Sequence, residues 1–177
     1  PPPCKNTGKF LTTAVIEANM TFSLLGYDPV RKTIGSAIAS KWTAVGSCVP
    51  YHRAGFGLVH VQNYSNPMVA ERCLDYMEQH IPLDQSLDLA LREDTLPGQR
   101  QCAICNYEGD FHVYTGQDCS PVAAQAQAAH CVAIGNTLAH EHVVHAMVQS
   151  FEQNADMPLG ERLITALDAG QDAGGDN

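Results

Sequence analysis

Two groups of side chains in this sequence have residue types and a spacing that chemistry uses. The first is Cys102-Ala103-Ile104-Cys105, a CxxC pair whose thiols suit zinc or redox exchange. A structural zinc takes four ligands, and no second CxxC supplies the rest. A redox CxxC leads into a helix, whereas a turn at Glu108-Gly109-Asp110 follows this one. On a strand the odd offset sends the two thiols to opposite faces. The second group is His140-Glu141-His142-Val143-Val144-His145, which invites comparison with the HExxH zinc motif. The residue four after His140 is Val144, so the spacing fails. A solvated helix face is expected instead, with His142 and His145 off the apolar stripe and His140 nearer to it. Neither a metal nor any other cofactor is expected.

The elements that must position any site follow from hydrophobic period and turn residues. Thr21 to Tyr27 reads as a strand, Asp28-Pro29 as a turn, and Ile34 to Ser40 as the hairpin partner. Phe56 to Asn63 reads as a third strand. Asn66-Pro67 then starts a helix, with Asn as cap and Pro at the first helical position. Asp84 is expected to cap a second, short helix. Arg100 to Asn106, Phe111 to Thr115 and His130 to Gly135 read as strands. Val144, Met147, Val148 and Phe151 repeat at helical spacing, as do Leu159, Leu163, Ile164 and Leu167, with Gly170 expected just past that last helix. Three strands, two helices, three strands and two helices predict an α+β sheet-on-sheet core with helices outside.

Composition narrows the function. The 177 residues suffice for one domain with a real core, and 45% hydrophobic against 16% charged residues is globular composition. A net charge of −9 without any Lys/Arg cluster argues against a nucleic-acid partner. No apolar run approaches the ~20 residues of a membrane span, so a soluble protein is expected, with no membrane partner. The seven cysteines lie in apolar stretches and read as reduced core thiols, which favours the cytoplasm. Residues 1–20 look unlike the rest and read as an extension, leader or remnant preceding a domain over residues 21–177. Pro1-Pro2-Pro3 and a short apolar piece from Phe10 to Ile16 give no clear period.

Several short stretches carry a likeness. They are Met20-Thr21-Phe22-Ser23-Leu24-Leu25-Gly26-Tyr27-Asp28, Ala39-Ser40-Lys41-Trp42-Thr43-Ala44-Val45-Gly46 and Gln62-Asn63-Tyr64-Ser65-Asn66-Pro67. They continue at Tyr114-Thr115-Gly116, Gly135-Asn136-Thr137-Leu138-Ala139 and Ala169-Gly170-Gln171-Asp172-Ala173-Gly174-Gly175-Asp176. In that order the chain resembles the DUF1028 family of N-terminal-nucleophile (Ntn) hydrolases. The resemblance implies an αββα Ntn sandwich, two stacked and mainly antiparallel sheets flanked by helices, and hydrolysis of an amide or peptide-like bond. The expected partner is therefore a small amide-containing substrate. Family members usually begin at the Met matching Met20, whose removal exposes Thr21. This chain carries Pro1 to Asn19 in addition, and relatives continue beyond Asn177 into at least one more strand. A homodimer is expected, because a sheet edge left uncovered there would need a partner.

The implied chemistry assigns Thr21 as nucleophile. Its hydroxyl attacks the carbonyl and its own α-amine, with a pKa of about 7.7 to 8.0, takes the proton. An internal Thr21 has an amide nitrogen, which is no base. Lys41 is the second candidate, since a cation near the amine lowers its pKa. Its strand position is favourable, because Ala37 and Ala39 precede it on the same face and leave room for a long side chain. Gly135 and Asn136 at a strand end suit an oxyanion hole, through close backbone approach and an amide donor. Ser40, Gln62 and Asn66 are weaker candidates for positioning substrate, Asn66 more simply as a helix cap. A catalytically silent relative that binds a small ligand or a partner protein in the same cleft is the alternative.

Overall fold

In the computed structural model, residues 20–175 are described. The expected extension over residues 1–20 lies outside them except for Met20, as do the last two residues of the Gly/Asp-rich end. The described chain runs β1 (Thr21–Asp28), β2 (Thr33–Ser40), β3 (Pro50–Arg53) and β4 (Gly57–Asn63), then α1 (Pro67–Glu78) and α2 (Leu83–Arg92). β5 (Arg100–Asn106), β6 (Phe111–Thr115), β7 (Ala124–Gln127) and β8 (Cys131–Asn136) follow, and then α3 (His142–Gln153) and α4 (Leu159–Asp172). One sheet has the order β2-β1-β8-β7 and the other β3-β4-β5-β6, with every pairing antiparallel. The result is an α+β sandwich, with α3 and α4 on the first sheet and α1 and α2 on the second.

Strand alternation explains the layering. Phe22 and Leu24 of β1 point outward, to Val144, Met147 and Phe151 of α3 and Leu163 of α4. Val59 and Val61 of β4 pack under Val69, Leu74 and Leu87 of the other helix pair. Leu25, Leu58, Ala103, Cys105, Val132 and Ile134 meet between the sheets. A central strand covered on both faces must bury every residue, and β1 does. At about 1.5–3 kcal/mol for each large apolar side chain, these three clusters supply the main driving force.

Several expectations need correction. The element order is four strands, two helices, four strands and two helices among the described residues, because β3 and β7 join the sheets. Pro82, not Asp84, precedes α2, and Asp84 lies in its first turn, where a carboxylate favours the helix dipole. Gly170 lies inside α4 rather than beyond it. A Cβ there would sit 2.7 Å from Met147 Cγ, so close approach of α3 and α4 is what requires glycine. Asn66 does cap α1, its side chain accepting from the Met68 N–H, with Pro67 next. No helix among the described residues is long and apolar enough to cross a membrane.

Candidate functional site

The site begins with strand register. Thr21 opens β1 with Ser40 opposite it on β2 and Asn136 opposite it on β8. Gly135 lies beside Asn136, and a Cβ on it would come within 2.8 Å of Leu138, so the turn after β8 can close tightly. Thr21 Oγ1 is 2.9 Å from Ser40 Oγ. Ser40 Oγ also donates to the Met20 carbonyl at 2.9 Å and accepts from the Trp42 N–H at 3.1 Å. A serine hydroxyl has one proton, so Thr21 must be the donor to Ser40. Thr21 is 8% exposed, and its nitrogen belongs to the Met20–Thr21 peptide bond in this chain.

Behind this trio a chain of polar side chains crosses the gap between the sheets. Ser23 Oγ donates to Gln62 Oε1 at 2.8 Å, and Gln62 Nε2 donates to Gln101 Oε1 at 2.9 Å. Asn136 Nδ2 donates to the same Gln101 oxygen at 3.2 Å. Gln101 Nε2 faces the Gly135 carbonyl at 2.9 Å, the Ala124 carbonyl at 3.1 Å and Thr115 Oγ1 at 3.2 Å. His60 Nδ1 lies 3.0 Å from Ser23 Oγ. Because the Ser23 proton goes to Gln62, the imidazole must donate from Nδ1, leaving Nε2 as a buried nitrogen without a partner. Burial pushes the His60 pKa down to about 3, so the ring is neutral.

The remaining candidates stand at the border. Lys41 follows the last residue of β2 and is exposed; it does not extend the strand. Ala37 and Ala39 pack toward the α3/α4 side rather than framing it. Asn66 is engaged elsewhere, for its Nδ2 donates to Asp94 Oδ1 at 2.9 Å. Asp94 and Arg100 form a buried ion pair at 2.6 Å, and Arg100 also donates to the Tyr64 carbonyl. Burial opposes the Asp94 charge, but bonds from Arg100 and Asn66 outweigh it and hold the carboxyl below its usual range. This group ties the 63–66 loop to β5, so Asn66 buttresses the rim. Gln62, by contrast, joins the inter-sheet chain.

Residue spacing alone had not pointed to Ser23, His60, Gln101 or Thr115. The available signal was alternation, since His60 and Gln62 are polar at positions that must face the other sheet once Val59 and Val61 face helices. Cys102 and Cys105 do point to opposite layers, one beneath α1 and α2 and the other between the sheets. Their pKa values are raised by burial, that of Cys105 to about 12. His140 lies before α3 and is exposed, edge-on to His142 with ring centroids 5.4 Å apart. Among the described residues no three His, Cys, Asp or Glu side chains group to hold a metal ion.

Clefts open at the borders of the sandwich among the described residues. One of about 580 Å³, lined by Phe56, Met77, His80, Asp84 and Glu108 among others, opens at the end away from Thr21. A smaller one of about 390 Å³ is lined by Thr115, Gln125, Glu141 and His145. It adjoins the polar chain, as Thr115 Oγ1 donates to Gln125 Oε1 at 2.8 Å. Size favours the first cleft, but convergent hydrogen-bonding groups mark where chemistry can be directed, and those lie around Thr21 and Asn136.

Comparison with known proteins bears out the DUF1028 part of the resemblance in the sequence. No curated protein matches the chain. The crystal structure of protein SPO2555 from Silicibacter pomeroyi, described as DUF1028, is similar, with a TM-score of 0.83 at 26% identity. The similarity covers 88% of this chain and 69% of that one. The family described as "Family of unknown function (DUF1028)" matches residues 21–177. The domain that holds Thr21, Ser40 and Asn136 is thus the region matched, and the chain belongs to the DUF1028 family.

Proposed function

We propose that the protein is an amide-bond hydrolase of the Ntn type, in which the Thr21 hydroxyl is the nucleophile once Met20 has been removed. The observation that carries this reading is the register that sets Thr21 between Ser40 and Asn136. The freed α-amine takes the hydroxyl proton as Oγ1 bonds to the substrate carbonyl carbon. Asn136 Nδ2 donates to the oxyanion that develops, with the Gly135 turn letting substrate approach. Collapse expels the amine, protonated by the α-ammonium, and leaves an ester on Thr21. Water, deprotonated by the α-amine, then releases the acid and restores the hydroxyl.

Ser40 Oγ, 2.9 Å from Thr21 Oγ1, holds the nucleophile in place, while Lys41 lies next to it in sequence and supplies positive charge at the rim. A small, uncharged amide-containing substrate suits the neutral Ser, Gln and Asn lining. The free thiols, Cys73, Cys102, Cys105 and Cys131 buried among them, support a reducing cytoplasm. The proposed assembly is a homodimer, to be checked by light scattering.

The test compares the chain beginning at Thr21 with the chain carrying residues 1–20, against a panel of amides, lactams and small peptides. Hydrolysis by the first form, none by the second and none by Thr21→Ala is the expected result. Equal turnover by both forms, or turnover by Thr21→Ala, overturns the reading and leaves a binding protein as the alternative.

A further inference from the structure

We infer that Gln101 is the positioning residue that decides which end of the Asn136 amide faces the Thr21 hydroxyl's target. The inference rests on the proposed hydrolase reading and adds to it a residue 35 positions from Asn136 in sequence. The starting point is chemical direction. The Gly135 and Ala124 carbonyls, at 2.9 and 3.1 Å, can accept but never donate. The Gln101 side chain must therefore turn its NH₂ toward them, and its oxygen faces the opposite way. That oxygen accepts, so both neighbours that meet it, Gln62 and Asn136, must offer nitrogen. With Asn136 held through one N–H of Nδ2, its second N–H remains available to a carbonyl placed at Thr21. A reversed Asn136 would set two oxygens against each other across 3.2 Å.

Gln101 is wholly buried and bonds to both sheets, to Gln62 and Thr115 in its own and to Ala124, Gly135 and Asn136 in the other. A glutamine in that position costs stability unless it is fully satisfied. Ala103 and Cys105, at the other inward positions of β5, meet the opposite sheet through apolar contact. Stability alone does not require the amide at 101.

The test uses the protein beginning at Thr21. In wild type, nuclear magnetic resonance should find one Asn136 Nδ2 proton protected from exchange; two protons exchanging as in an exposed asparagine would overturn the inference without any variant. Acylation by a β-lactone probe, followed by intact mass, then reads the nucleophile. Gln101→Leu should slow labelling roughly 100-fold, the scale of losing one oxyanion donor. Asn136→Ala should do the same, and the double variant should be no slower than Asn136→Ala, because Gln101 acts through Asn136. Wild-type labelling rates in Gln101→Leu, or losses that multiply in the double variant, would overturn it. If wild type takes no label at Thr21, the hydrolase reading fails, and the exchange measurement alone decides whether Gln101 orients Asn136.

Discussion

The two ends of the layer between the sheets are built from the same strands, yet they differ in kind. At one end Leu25, Leu58, Cys105 and Val132 meet through apolar contact. At the other, within four residues along β1, Ser23 donates to Gln62 while Gln62 and Asn136 both donate to Gln101, and Thr21 bonds to Ser40 beside them. The backbone is antiparallel β throughout, so side chains alone make the difference. Apolar contacts tolerate small changes of angle, whereas each bond of the polar end fixes which atom of its neighbour points where. One end holds the sheets together and the other holds groups in orientation.

The largest effect should come from the support behind the polar end. Asp94→Ala leaves Arg100 buried without its carboxylate and should cost about 3–5 kcal/mol in denaturant unfolding. The same pair predicts acid sensitivity. The Asp94 pKa is lowered on folding, so its stabilisation is complete above the unfolded value of about 3.9 and is lost as pH falls through the lower folded value. At the apolar end, Leu25→Ala should cost about 2–5 kcal/mol by leaving a cavity, while the chemistry of a folded Thr21 form is retained. Loss of chemistry without loss of stability in Leu25→Ala would break the division between the ends.

The strands and caps behind this division are partly legible in the sequence, though the division itself is not. The alternation of Thr21 to Tyr27 marked a strand with two faces, and the Asn66-Pro67 start of α1 is local chemistry that needs no partner. β3 and β7 were missed because they have four residues each; β3 begins with Pro50, and the Ala-Gln-Ala-Gln of β7 has little strand propensity. Gln101 was invisible for another reason. Its partners Gln62, Ala124, Gly135 and Asn136 come from three strands, and the pairing of β4 with β5 and of β7 with β8, with one sheet stacked on the other, brings them together. The small residues before Lys41 suit a strand that carries it, but pairing ends at Ser40.

Smaller effects sharpen the comparison. Ser23→Ala removes the acceptor of His60 and the donor of Gln62 and should cost about 1–3 kcal/mol, as two buried polar groups lose their partner. A neutral loss there would mean that water replaces the hydroxyl. His60 should also be read by pH. Its folded pKa of about 3 lies below the unfolded value of about 6.5, so the unfolded chain binds the extra proton between them. Stability from neutral His60 is complete above about 6.5 and falls by up to roughly 1.4 kcal/mol per pH unit below it. Urea unfolding at pH 7.5 and 5.5 should show that slope in wild type, and His60→Gln should flatten it.

The central claim is that the working protein presents a free amine on Thr21, between Ser40 and Asn136. Intact mass with N-terminal sequencing, on protein purified from its native source, tests it most directly. The account predicts a chain whose first residue is Thr21. A mature chain that still carries Met20 would leave the Thr21 nitrogen in an amide, without a base for its hydroxyl, and would contradict it.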